Sequence, residues 1–320
     1  MTNHFSFSLT ISIMALIGPS ALALESRIDY GDGRVIGTLP YNPINESSGL
    51  ARGRNKGHFF WTHNDSGDTN RLFSFKSTGE LVAQLTITGA TNTDWEDMAS
   101  FSHNGVSYLL VGAIGDNYAR RDHYRIHLIR EPVLEPSSRT LILSTEVERT
   151  IEFMYEDGPH DCESLAVDPA NGVLYLVSKI TPEYGDQCAV YSLPLWGNNT
   201  GRRTARRLTY LDMPPVTTGM DISSDGRRAI ITTYQDAYEF IREEDETWRQ
   251  AFRQSPRRIS MPQRDKGESI CYGLDGQTLY LTSEARGDKR VSQPLFMVPV
   301  IGTVAYDPAN PAPILPRGAN

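Results

Sequence analysis

Hydrophobic positions along this chain fall into short runs divided by polar turns, and the runs come in a repeating order. One set is apolar until its last residues: "HFFWTHND" (58–65), "SYLLVGAIGDN" (107–117), "GVLYLVSK" (172–179), "RRAIITTY" (227–234) and "QTLYLTSE" (277–284). A further run follows each of these, namely "RLFSF", "YRIHLI", "AVYSLP", "AYEFIR" and "PLFMVPV", and four are followed by another, "LVAQLTI", "ERTIEFM", "ARRLTYL" and "RRISMP". The runs are short, rich in aromatic and β-branched residues, often alternating, and bounded by turn pairs such as Asn171-Gly172, Asp225-Gly226 and Asp275-Gly276. That pattern predicts β-strands joined by tight turns. The clear helical candidate is "EEDETWRQAFRQ" (243–254), with acids early and Arg253 late.

An acidic segment precedes each set. "ESSGLA" (46–51), "DWEDMA" (94–99) and "DCESLA" (161–166) share one pattern, and "GMDISS" (219–224) and "KGESIC" (266–271) keep an acid at its third position, Asp221 and Glu268. Their starts are 48, 67, 58 and 47 residues apart. Repeats of this length, each one supersecondary unit, are the signature of a propeller. The prediction is an all-β fold, a β-propeller of five four-stranded blades. The last blade lacks a fourth strand and the N-terminal run "RVIGTLP" (34–40) has no partner, so this strand is predicted to close the ring and remove its open edges. A six-bladed ring, with a degenerate blade inside the 67- or 58-residue interval, is the alternative.

Residues 5–23 carry no charge and end in Ala21-Leu22-Ala23, which reads as a signal peptide over 1–23 with a single domain over 24–320 and a Pro-rich tail. No Lys or Arg precedes that run, and a membrane anchor is the other reading. Nothing later is long and apolar enough to span a bilayer. The expectation is a secreted or periplasmic monomer. A net charge of −8 argues against a nucleic-acid partner and leaves a small-molecule or anionic substrate. Of three cysteines, Cys162 and Cys188 fall in one blade and are the expected disulfide pair if the compartment is oxidising. Sequons stand at Asn45 and Asn198.

The acidic starts place Glu46, Asp94, Glu96, Asp161, Glu163, Asp221 and Glu268 around one axis. Converging carboxylates repel unless a cation compensates them, and all-oxygen ligation selects Ca2+ ahead of Mg2+. Independent hydration and pairing with Arg is the bland alternative. Counted along the chain, the acidic starts and the polar ends of the apolar runs lie one up-down connection apart, which predicts opposite edges of the ring.

"HNDSGDTN" (63–70) looks like a calcium loop, but an EF-hand counted from Asp65 needs an acid where Lys76 stands; a hairpin turn with Asp65 at the mouth fits better. "IGDN" (114–117) either aims Asp116 and Asn117 into a pocket or turns the chain. Lys179 and Arg120 are candidates for holding an anionic substrate, and His63 and His160 for a general base; ion pairing, solvation and structural hydrogen bonding are the competing roles. No G-x-S-x-G, H-E-x-x-H, Walker A or C-x-x-C motif is present, which leaves serine hydrolase, zinc protease and nucleotide-binding readings without support.

Taken together, "NESSGLA", "FFWTHNDSGD", "TDWEDMA", "AIGDN" with "REP", "DCESLA" with "LYLVSK", "TTGMDISSDG" and "GESI" resemble a poorly characterised family of exported bacterial β-propellers, over most of the chain after residue 23. More distantly the design is similar to calcium-dependent propeller hydrolases, the gluconolactonase/regucalcin, paraoxonase and β-propeller phytase groups, although the phytases' Asp-rich N-terminal motif is missing. That resemblance implies axial calcium on Glu46, Asp94, Glu96, Asp116, Asn117 and Glu163, and hydrolysis of lactones or phosphoesters. A non-catalytic propeller with a structural calcium, binding a ligand or a protein, is the alternative, and acid–base action on sugars a weaker third.

Overall fold

The alternating and aromatic runs become strands throughout, with one helical turn among the described residues of a computed structural model, which are 25–135, 137–180, 185–197, 201–285, 287 and 290–306. The signal-peptide segment, most of the Pro-rich tail and the sequon at Asn198 lie outside these. In chain order, β1 (Glu25–Tyr30) and β2 (Arg34–Leu39) precede a first unit of β3 (Ser47–Arg52), β4 (Phe60–Asn64), β5 (Arg71–Phe75) and β6 (Leu81–Thr88). Next come β7 (Trp95–His103), β8 (Val106–Ala113), β9 (Tyr124–Arg130), β10 (Leu141–Glu146) and β11 (Arg149–Tyr155). The third unit is β12 (Cys162–Asp168), β13 (Val173–Ser178), β14 (Ala189–Pro194) and β15 (Arg203–Tyr210). The fourth holds β16 (Thr217–Ile222), β17 (Arg228–Thr233), β18 (Ala237–Ile241), the turn α1 (Trp248–Ala251) and β19 (Arg257–Ile259). The chain ends in β20 (Lys266–Tyr272), β21 (Leu279–Glu284), β22 (Gln293–Val298) and β23 (Val300–Tyr306).

Each unit is an antiparallel meander: β3-β4-β5-β6, β7-β8-β9-β11, β12-β13-β14-β15 and β16-β17-β18-β19. The last, β20-β21-β22, is completed by β2 pairing antiparallel on β22, with Leu39 opposite Gln293. The first strands touch in cyclic order, β3 to β7, β7 to β12, β12 to β16, β16 to β20 and β20 back to β3. The fold is therefore an all-β propeller closed by its N-terminal strand.

Strands buried on both faces pack unit against unit, and the apolar residues divide into five clusters, one at each junction around the ring. Between the fifth and first units lie Leu39, Leu50, Phe60, Phe73, Phe75 and Leu295. Between the third and fourth, α1 contributes Trp248 and Ala251. The helical candidate is thus a single turn, capped by Thr247, whose hydroxyl accepts from Gln250 N–H, and it serves to bury two apolar residues.

Among the described residues, three strands stand outside the predicted set. The surplus of the 67-residue interval holds β10, which pairs in parallel with β6 of the preceding unit, Leu143 opposite Leu85. Strands β1 and β23 form a two-stranded ribbon of their own. The expected Cys162–Cys188 disulfide is not formed, and all three cysteines are free and buried. Strand β13 lies between β12, which begins at Cys162, and β14, which Cys188 immediately precedes: Cys162 stands opposite Ser178, and β14 flanks β13 on its other side. Two strand spacings, about 9.6 Å, exceed the reach of a disulfide. The two side chains also enter different apolar clusters.

Candidate functional site

All five first strands lose register near their start: between Ser47 and Leu50, Trp95 and Asp97, Cys162 and Ser164, Thr217 and Gly219, and Gly267 and Ser269. A bulge re-aims the side chain of its extra residue. The residues inside these irregularities include Ser48, Glu96, Glu163, Thr218 and Glu268, and four of them, all but Thr218, line one cavity of about 160 Å³. The repeat therefore converges, with one slip of register: the fourth unit's equivalent of Glu96 is Thr218, three residues before Asp221.

Antiparallel pairing brings the end of each second strand back beside the start of the first, so the two sets share one edge, which corrects the expectation of opposite edges. Asp65 N–H donates to Glu46 O (3.0 Å), Gly115 N–H to Asp94 O (3.3 Å) and Lys179 N–H to Asp161 O (3.0 Å). Asp65, Asn117, Lys179, Tyr234 and Glu284, the final residues of the five apolar runs, join Glu46 and Lys266 in lining the cavity.

The cavity has two sides. On one, the lining residues Asp65 and Glu96 and, beside the lining, Asp94 each place a carboxylate oxygen within 4.8 Å of the other two. Burial raises all three above the ordinary carboxylate range, most for Glu96, where the Glu163 charge adds to it. Asp94 is held at φ +83°, a left-handed conformation that Asp tolerates better than most residues, with Asn92 Oδ1 accepting from the following Trp95 N–H (3.1 Å). Gly115 makes room for the pair: a Cβ there would sit 2.3 Å from Glu96 Oε1 and 2.8 Å from Asp94 Oδ2.

On the other side stand two lysines. Lys179 pairs with Glu163, and Lys266 Nζ lies 2.5 Å from Glu268 Oε1 and 2.7 Å from Glu284 Oε2. The Tyr234 ring lies between them, 5.4 Å from one ammonium and 5.7 Å from the other. Burial pushes Glu163 up to about 7 against the pull of Lys179, and pushes Glu268 up to about 8, helped by the Glu163 charge. Glu268 is 4 % exposed, and among the described residues its Oε2 has no hydrogen-bond partner.

Several expected site residues do other work. Asp221 accepts Ile222 N–H and, across the unit junction, Tyr272 N–H (both 2.8 Å). Asp116 is a loop organiser: Oδ2 accepts Arg120 N–H, Arg121 N–H and Tyr124 O–H, and its own N–H donates to Asp161 Oδ1 (2.7 Å). Asp161 is thereby held beside the cavity and not in its lining. Arg120 is exposed, its guanidinium over the Tyr118 ring. His63 is fully buried against Trp95, and burial pulls it down to about 4, so it is neither reachable nor a base for this cavity. His160 bonds Asp157 and Tyr191.

Asp97, the third acid of "DWEDMA", faces away from the cation candidates. Its Oδ1 accepts Met98 N–H (2.8 Å), and its Oδ2 accepts Leu165 N–H (2.8 Å) and Met220 N–H (3.0 Å). One buried carboxylate thus ties together β7, β12 and β16 at the axis.

The donor set suits a hard cation. Three carboxylate oxygens no more than 4.8 Å apart fit within a calcium coordination sphere, whose bond lengths of about 2.3–2.6 Å put no two ligands farther apart than about 5.2 Å. Three such charges within 4.8 Å of one another would otherwise repel by at least about 3 kcal/mol per pair at an effective dielectric near 20.

No family model matches the chain, and no curated protein matches it. Solved structures do: the major Malassezia sympodialis allergen Mala s 1 is 12% identical, with 84% of this chain and 96% of that one covered at a TM-score of 0.52. The Dos1 propeller is 11% identical, with 80% of this chain and 68% of that one covered at a TM-score of 0.37. At these identities what is shared is a fold, and the chain is a β-propeller whose axial mouth gathers acids and lysines into one cavity.

Proposed function

We propose that the axial cavity holds a divalent cation, calcium ahead of magnesium, and that the chain is a metal-dependent hydrolase of lactone or phosphoester substrates, in line with the more distant resemblance of its design to calcium-dependent propeller hydrolases. The observation that carries this is the trio Asp65, Asp94 and Glu96, with oxygens inside 4.8 Å and Gly115 leaving room for Asp94 and Glu96. When bound, such a cation polarises a carbonyl or phosphoryl oxygen and acidifies a bound water. The chain's own residues supply the rest. Lys179 and Lys266 draw an anionic substrate to the opposite wall, and Glu163, held near neutrality, accepts and returns a proton at its carboxylate. An exported monomer, the location read from residues 1–23, would meet calcium outside the cell.

A second reading has its own observation. Lys179 with Glu163, and Lys266 with Glu268 and Glu284, already neutralise half of the cavity internally, as a non-catalytic ligand-binding propeller with a structural ion would. Calorimetric titration with calcium, melting in EDTA with and without added calcium, and a lactone and phosphoester panel separate the two. The enzyme reading expects calcium binding, a higher melting temperature with calcium, and turnover lost in EDTA and in Gly115→Ala. Calcium-dependent stability without turnover selects the second reading, and no calcium effect on either measure defeats both.

A further inference from the structure

Beside the axial cavity lies a larger pocket of about 480 Å³, and Tyr234 lines both. Its walls are the β17–β18 turn, with Tyr234, Gln235 and Asp236, and the segment 261–265 that leads into β20 and Lys266. This volume lies within the range of small-molecule sites, about 300–1,000 Å³.

The formal charges in this pocket balance, Arg258 and Arg264 against Asp236 and the exposed Asp265, but their pairing is uneven. Arg258 is satisfied by Asp236, at 2.6 and 3.0 Å. Arg264 makes no ion pair among the described residues. Its Nη2 donates to Thr233 O and Gln235 O over 3.4 and 3.2 Å, while Nε and Nη1 are shielded from water with no partner. Burial draws this guanidinium down to about 10, with the charges of Asp236 and Glu268 opposing, so it stays protonated at neutral pH. A half-buried cation with shielded, unmet donors is costly unless an anion joins it. Both bonds to the turn carbonyls are long, and a carboxylate or phosphate makes stronger, charge-assisted ones.

We propose that this pocket binds the anionic group of the substrate, a carboxylate or a phosphate, with Arg264 as its recognition residue. Tyr234 is then the wall past which the rest of the molecule reaches the axial cavity. This rests on the reading of the axial cavity as the reacting end.

The probes are inorganic phosphate and malonate, titrated calorimetrically into the full chain in EDTA. Wild type is expected to bind at least one of them, and the preferred probe tells phosphate from carboxylate recognition. Arg264→Met should weaken that binding at least tenfold. Should Arg264→Met fail to fold, Gly267→Ala serves: its Cβ would lie 2.5 Å from the Arg264 Cζ, displacing the guanidinium with its charge kept, and the same loss is expected. Asp94→Asn should keep anion binding while losing calcium binding, so failure at the axial cavity reads separately. No binding of either probe to wild type, or unchanged binding in the Arg264 and Gly267 variants, overturns the proposal.

Discussion

At the scale of single residues, the three acids of "DWEDMA" divide by direction. Glu96 lines the cavity and Asp94 places its carboxylate beside it, while Asp97 holds three backbone N–H groups from three strands. Removing it strands buried donors, each costing about 1–3 kcal/mol. Asp97→Ala is therefore expected to destabilise the fold by at least about 3 kcal/mol in urea unfolding; a loss below about 1 kcal/mol would contradict the hub role. The acid ring was legible because it recurs at one position of the repeat. Asp221 was misplaced because "GMDISS" imitates the motif three residues late, and only the bulge at Thr218 fixes the register. The polar letters closing each apolar run, Asp65, Asn117, Lys179, Tyr234 and Glu284, were visible as a set, but their meeting with the acids depends on antiparallel return of the strands. Arg264 and Lys266 carried no signal beyond their charge.

Among the elements, the clasp made by β2 depends on a turn in another unit. Gly79, at φ +86° between β5 and β6, would place a Cβ 2.1 Å from Thr38 O, and Thr38 N–H donates to Thr78 O (3.2 Å). Only glycine allows both the left-handed turn and this approach. Gly79→Ala is expected to lower stability by about 1–3 kcal/mol and speed proteolysis before residue 40, followed by limited trypsin digestion. Unchanged digestion would mean the clasp holds without the turn. The four-strand meanders and β2 were readable from alternation and turn pairs. Strand β10 was not: its half-exposed alternation "LILSTE" finds a partner only in another unit, a parallel pairing that local sequence does not encode. The helix was overread because acids and Arg253 mark helix ends without setting helix length.

For the whole molecule, burial of the acid ring predicts a pH signature. Glu163 and Glu268 hold protons up to about 7 and about 8 in the folded chain, against 4.5 when unfolded. Their contribution to stability is complete below 4.5 and is lost as pH rises through 7 to 8. His63 and His127, drawn down to about 4 by burial, act with the opposite sign below 6.5, so the clean window lies above it. In EDTA, the melting temperature should fall between pH 6.5 and 9, and Glu163→Gln with Glu268→Gln should flatten the slope. A rise over that window would refute the shared burial of these acids.

The pairing of β2 with β22 also sets an order of events during synthesis. Strand β2, made well before them, must wait for residues 293–298 before its backbone groups find their partner. Until then Leu39 lacks Leu295, its apolar neighbour at the junction of the first and last units. A nascent chain therefore carries an unsealed ring until residues 293–298 have been made, and a product truncated before Gln293 can assemble its early meanders yet never lock the circle.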